Sequence, residues 1–221
     1  MDACVHLAKV RHMSTTLPQD LRSDAKENRD RVLAAARELF ATDGLDVTMR
    51  EIARHAGVGP ATLYRRFPTK ADLVRAAFVH ELDACRSIVV DALADTDPWR
   101  GFRGIIERVL VLNARNQGFT DAFLSAYPDA VDFRAQREDA VRAIVAVARR
   151  AIDVGALRAD FVLDDFLIVL LAARGLSRTT EAERTRAARR YAALVIDGLR
   201  ASDRHGPLPP APRLIPSVIP G

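Results

Sequence analysis

The sequence predicts an all-α chain of about nine helices, a small N-terminal trihelical unit followed by a larger helical body. Three observations carry that reading. Apolar residues recur at helical spacing in successive windows separated by glycine, proline and aspartate. The hydrophobic fraction is 49%, much of it alanine and leucine, which favour helix. Several windows open on capping signals, such as Thr48 with Glu51 three residues on, or Asp97 followed by Pro98. A chain of 221 residues can bury a large core in one domain, or in a small one plus a larger one.

Composition narrows the classes. The formal net charge is only +4, so any affinity for nucleic acid must come from a local patch. No apolar run is long enough or uncharged enough to span a bilayer. The two cysteines, Cys4 and Cys85, make no disulfide framework, and a reducing cytoplasm is the simplest compartment. The five histidines are scattered. No Ser/His/Asp or Cys/His arrangement, paired histidines with a carboxylate, or glycine-rich phosphate loop stands out, which argues against an enzyme and calls for no metal or cofactor.

In chain order, residues 1–22 read as a flexible leader. His6, Lys9, Arg11 and His12 sit beside only a short apolar stretch, a poor signal peptide, and Met13 is a second candidate start. A first helix is predicted from Ser23 or Asp24 to Thr42, with Val32, Leu33, Ala36, Leu39 and Phe40 as its buried stripe and Gly44 as a left-handed cap. Thr48 and Glu51 form a capping box that starts a short second helix, with Ile52, Ala53 and Ala56 inward and Gly57 as its stop. A third short helix opens near Gly59 and Pro60, since proline suits a first turn, and ends around Phe67, because Pro68 disfavours helical geometry before it. Two short helices joined by a tight Ala-Gly-Val turn read as a helix-turn-helix, the second helix being the one that enters a major groove. Between Asp46 and Lys70 the cations Arg50, Arg54, Arg65, Arg66 and Lys70 face only Asp46 and Glu51, the sign that phosphate binding needs. In the third helix Leu63 and Phe67 pack inward and Pro60, Ala61, Thr62, Tyr64 and Arg65 face outward; Thr62 and Tyr64 carry hydroxyls that can reach phosphates.

The run from Thr48 to Leu73, Thr-Met-Arg-Glu-Ile-Ala-Arg-His-Ala-Gly-Val-Gly-Pro-Ala-Thr-Leu-Tyr-Arg-Arg-Phe-Pro-Thr-Lys-Ala-Asp-Leu, resembles the signature of the TetR family of bacterial transcriptional regulators. The resemblance implies a three-helix DNA-binding domain with its helix-turn-helix, followed by a larger helical domain that binds an effector and dimerises. It implies that Thr48 and Arg50 begin the helix that crosses the DNA backbone and that Gly59 to Arg65 form the recognition helix. It also implies that Tyr64, Arg66 and Lys70 hold phosphates. Gly59 and Pro60 stand where many members carry longer polar residues, which shifts base reading onto Arg50, Thr62 and Arg65.

A fourth helix is predicted from a cap at Thr69 to about Ala94, a natural lever between head and body. Asp97-Pro98 opens a fifth, with Trp99, Phe102, Ile105, Ile106, Val109 and Leu112 at helical intervals. A shorter element carrying Phe119, Phe123, Leu124 and Tyr127 follows the break at Gln117-Gly118 and ends at Pro128. The aromatics from Trp99 to Phe133, with Asn113, Gln117 and Tyr127, read either as ordinary core or as the wall of a pocket for a small organic effector. Trp99, Phe102, Ile106, Asn113, Phe123 and Tyr127 are the lining predicted on the second reading.

A long helix is predicted from about Asp129 to Val154, an apolar one from Leu163 to Leu176 that must be covered on more than one side, and a last one from Glu181 to Ala201. In the family that this chain resembles, the last two helices pair with their copies in a second subunit, which predicts a homodimer interface through Phe166, Leu170, Tyr191, Val195 and Leu199. Two recognition helices then meet successive major grooves of a palindromic operator about 34 Å apart. The expected division is 1–22 leader, 23–70 helix-turn-helix domain, 71–203 effector-binding and dimerisation domain, and 204–221 a proline-rich tail, extended or disordered. The reading that follows is a homodimeric repressor of a double-stranded DNA operator, released by an effector; activation, a ligand-free regulator, an interaction module and an enzyme are its alternatives.

Overall fold

The computed structural model describes residues 18–116, 118–119, 131–176 and 180–214. The described residues form eight α-helices and one 3-10 turn: α1 Pro18–Thr42, α2 Met49–His55, α3 Pro60–Arg66, α4 Lys70–Ala94, α5 Pro98–Arg115, α6 Val131–Asp153, α7 Leu163–Ala173, the turn Arg174–Leu176, and α8 Glu181–Leu199.

Helix boundaries follow local chemistry. Thr48, Thr69 and Thr180 each accept from the backbone N–H three residues on, and Glu51, Asp72 and Glu183 accept in return from the cap's own N–H. Asp97 caps α5 by accepting from the N–H groups of Trp99 and Arg100. Gly44, Gly57 and Gly155 adopt φ of 77°, 66° and 68°, a region that side chains rarely enter. Two boundaries differ from expectation. α1 begins at Pro18, ahead of the Ser23–Asp24 signal, because proline is accommodated in a first turn. The apolar helix from Leu163 ends as α-helix at Ala173, and Arg174–Leu176 tighten into the 3-10 turn. The element predicted around Phe123 to Pro128 lies outside the described residues.

Two hydrophobic cores organise the molecule, and α4 runs through both. In the head, Ala36 and Phe40 of α1, Ile52 of α2, Leu63 of α3 and Leu73, Ala77 and Phe78 of α4 are fully enclosed, joined by Phe119 after α5. Phe78 links the ring centroids of Phe40 and Phe119 at 6.0 and 5.9 Å. From Ile88 onward α4 turns its apolar side to the body. There α5 is central, flanked by α4, α6, α7 and α8, with Phe102, Ile105, Ile106 and Leu110 buried. Leu112 packs on both cores. Cys85 closes the head's end of α4; burial, with the charge of Glu81 adding, pushes its thiol up to about 12.

The proline-rich tail is not helical over residues 200–214, and it is tied back to the α6–α7 connection. The Arg158 guanidinium pairs with Asp160 at 2.5 Å and donates to the Gly206 carbonyl at 2.8 Å. The Leu208 and Leu214 N–H groups donate to Asp160 and Asp164 at 2.8 and 2.7 Å. The Arg158 side chain and the Leu208 N–H hold the Asp160 carboxyl well below the usual carboxylate range.

Candidate nucleic-acid interface

The head is assembled so that α3 has one buried side chain. Leu63 is 1% exposed and Phe67, its C-cap, 5%. Pro60, Ala61, Thr62, Tyr64, Arg65 and Arg66 are exposed, as is the Gly59 N-cap. Tyr64 is 46% exposed, high for an aromatic residue. Arg50, in the first turn of α2, is also exposed. The exposed surface of α2 and α3 therefore carries Arg50, Thr62, Tyr64, Arg65 and Arg66, short side chains at the start of α3 and longer polar ones after it.

Three ties hold this face. The Thr48 hydroxyl accepts from the Glu51 N–H at 3.2 Å, and Glu51 Oε2 accepts from the Thr48 N–H at 2.7 Å and its hydroxyl at 2.8 Å. The backbone bond from Thr48 foremost, its hydroxyl next, and the cations Arg54 and Lys70 keep the Glu51 carboxyl below its ordinary range. His55, ending α2, lies 3.0 Å from Glu38 of α1. Lys70 is half-buried, and its ammonium donates to the Leu45 carbonyl in the α1–α2 connection. Thr48 and Lys70 thus act within the head itself.

Beside this face α1 and α3 enclose a cleft of about 310 Å³, with Asn28 and Arg29 on one wall and Thr62, Arg65 and Arg66 on the other. Arg65 and Arg66 border it, so their guanidinium groups can serve a phosphate lodged between α1 and α3. Asn28 escaped the sequence pattern: a single half-buried amide on a helix carries no period, and its closeness to α3 is a tertiary fact.

The body residues predicted to line a pocket sort differently. Phe102 and Ile106 are 0% and 1% exposed and belong to the closed core, and Phe102 meets Phe161 edge to face at 5.1 Å. Trp99 is half-buried, stacked on Phe102 at 6.2 Å with Arg200 5.8 Å above its ring. Asn113 is buried at 8% exposure. Phe123 and Tyr127 lie outside the described residues. On these positions the core reading accounts for Phe102 and Ile106 directly. Phe166, Leu170 and Leu199, predicted for a subunit interface, are 5%, 5% and 8% exposed and face inward against the body core. For Phe166 and Leu170 the reason is that an α7 apolar nearly all round gives no period to tell the inner side from the outer. Tyr191 and Val195 are half-buried at the core's margin.

A basic, exposed second helix on an all-α head, fixed to a larger helical body, defines a helix-turn-helix DNA-binding transcriptional regulator. The family described as bacterial regulatory proteins, tetR family, matches residues 32–77. An HTH-type transcriptional regulator of Staphylococcus aureus strain USA300 is 42% identical over 64 residues, 28% of this chain and 35% of that protein, so the match spans about a third of its length. A TetR transcriptional regulator of Streptomyces coelicolor is 32% identical over 79% of this chain and 99% of its own, with a TM-score of 0.47. The ketosteroid transcriptional regulator KstR2 of Mycobacterium tuberculosis is 20% identical over 79% of this chain and 95% of its own, and its TM-score of 0.62 shows a shared fold. The chain belongs to the TetR family, whose members are regulators of transcription and not enzymes.

Proposed function

We propose that this regulator is a homodimeric repressor that holds a palindromic operator through two heads and releases it when a small organic effector fills the body. The observation that carries the DNA-binding part is the division of α3, with Leu63 enclosed at 1% and Tyr64 beside it 46% exposed. Phosphate contacts fall to Tyr64 and Arg66, base reading to Arg50, Thr62 and Arg65, and close backbone approach to Gly59, Pro60 and Ala61. Thr48 and Lys70 contribute by fixing the start of α2 and the α1–α2 connection.

The dimer is supported by apolar side chains that α7 and α8 leave outward. Leu194 is 63% exposed, Ile168 39% and Leu171 37%, with Tyr191 and Val195 at their border. Contact between two copies through these helices buries them and sets the separation of the heads. Release follows if the effector favours an arrangement in which the α4 helices hold the heads at the wrong spacing. A near-complete switch needs a difference in ligand affinity between the two arrangements of roughly 5 kcal/mol.

Electrophoretic titration with the promoter DNA upstream of the protein's own gene, with and without candidate ligands, tests the reading, with sedimentation to give the assembly state. A dimer that shifts the promoter fragment and lets go on ligand addition supports it. A monomer indifferent to DNA at low salt rejects it, and a ligand-bound dimer with full affinity rejects release.

A further inference from the structure

On the outer side of the body, α4, α5 and α8 enclose a groove of about 690 Å³ whose floor and walls differ in chemistry. Ile88 of α4 and Leu112 of α5 supply an apolar floor, and Arg108, Arg115 and Arg189 stand around it with the Ser87 hydroxyl. That volume falls in the range of small-molecule sites, roughly 300–1,000 Å³. Arg108 is engaged with Asp91 at 2.7 Å, and Glu107, the acidic residue of the lining, is paired with Arg103 at 3.5 Å. Among the described residues, Arg115 and Arg189 have no carboxylate within salt-bridge distance. They come from different helices, α5 and α8, and converge on one apolar trough. Arg189 lies on the side of α8 away from Tyr191 and Leu194, so the groove and the outward apolar face are separate surfaces.

We infer that this groove binds a small amphipathic anion, its apolar body on Ile88 and Leu112 and its carboxylate or phosphate between Arg115 and Arg189. Arg115 and Arg189 are exposed and, among the described residues, free of carboxylates, so both are open to an anionic acceptor, and guanidinium suits carboxylate and phosphate oxygens alike. The apolar floor asks for a hydrocarbon portion on the same molecule, which a DNA backbone does not bring. The site names the effector class within the proposed function and rests on that reading for its regulatory meaning. Leu112 carries the consequence, since it packs on the body core and the head core together. An occupant pressing on Leu112 and α4 acts at the seam between effector body and DNA-binding head.

The test is calorimetric titration of the full-length protein, without DNA, using octanoate, octyl phosphate and neutral octanol. Binding of either anion at least about tenfold tighter than octanol supports the site, and the better of the two distinguishes carboxylate from phosphate. Arg115→Gln and Arg189→Gln should each weaken that anion by about tenfold, the scale of one charge-assisted hydrogen bond. Ala193→Glu, which places a carboxylate at the groove's rim one helical turn from Arg189, should weaken it by pairing with that arginine and repelling the anion. Equal binding of octanol, undiminished affinity in the double arginine variant, or no binding of either anion at millimolar concentration overturns the inference. So does a loss of operator affinity in the double variant with no amphiphile present, which would assign these cations to DNA. Failure of the wild-type protein to bind its promoter would instead sink the proposed function and leave the calorimetric result standing.

Discussion

Arg37 of α1 donates through Nε to the Ala77 carbonyl of α4 at 2.6 Å, one residue before the point where α4 leaves helical geometry, Phe78 at φ −116° and ψ 15°. A break of this kind opens carbonyls on the adjacent turn, and here one of them is taken by the first helix of the head. The lever is therefore fastened to the DNA-binding unit at its own kink. Arg37→Leu keeps most of the aliphatic stem and removes the donor. It should cost about 1–3 kcal/mol, the range for a hydrogen bond from a charged group, read as a lower urea midpoint. An unchanged midpoint would mean that water replaces the guanidinium without loss.

The exposed arginines and Lys70 should separate into three classes in DNA titrations. Arg66→Ala, which removes a proposed phosphate contact, should weaken all sequences alike and reduce the salt slope by about 1. Arg50→Ala and Arg65→Ala, at the residues proposed to read bases, should flatten the preference among operator variants by about 1–3 kcal/mol per base pair. Lys70→Met should instead lower thermal stability together with affinity, because its ammonium holds the Leu45 carbonyl. Equal salt slopes for wild type and Arg66→Ala would remove Arg66 from the phosphate contacts.

The capping boxes predict an acid limb. In Glu51, Asp72 and Glu183 the carboxyl sits below its ordinary value, with the bonds from Thr48, Thr69 and Thr180 as the leading causes. A carboxyl lowered in the folded state stabilises fully above its unfolded value, 4.5 for Glu51. That contribution is lost as pH falls through the folded value. Melting temperature should thus be flat near neutrality and decline below about pH 4.5. Glu51→Gln should shallow that decline, and Thr48→Ala should cost about 1 kcal/mol at neutral pH. A melting curve for Glu51→Gln with the same acid limb as wild type would show that other carboxylates govern it.

These caps also mark what the sequence could reveal. Thr48, Thr69, Asp97 and Gly57 act on neighbours within a few residues, so their signals survive in one dimension. The outward face of α3 was legible for the same reason, since Leu63 and Phe67 fix which side turns in. Phe166 and Leu170 were not legible as core, because inner and outer sides of an apolar helix look alike until α5 is seen against them. The tail's anchorage on Asp160 and Asp164 was hidden too, as it joins residues 48 and 50 positions apart. The Arg115–Arg189 groove needed three helices in place before two ordinary surface arginines became neighbours.

A close approach of lever and body gives a steric prediction. Gly101, in the first turn of α5, lies against the end of α4 so closely that an added Cβ would stand 2.8 Å from the Ala92 carbonyl oxygen. The obstructing atom is backbone, which cannot swing aside as a side chain can, so Gly101→Ala must push α5 away from α4. That movement loosens the body core to which Ala92 and Phe102 both belong and strains the Arg150 guanidinium, which donates to the Leu93 and Asp95 carbonyls at 2.9 and 2.8 Å. Overpacking of this kind costs typically about 1–3 kcal/mol. Gly104→Ala, one turn on, where an added Cβ meets nothing within 4 Å, should be neutral or slightly stabilising through helix propensity. Paired urea denaturations of the two variants decide the matter: equal midpoints would mean that α4 and α5 do not hold the separation described. A loss confined to Gly101→Ala shows that the lever is seated against the body at this glycine.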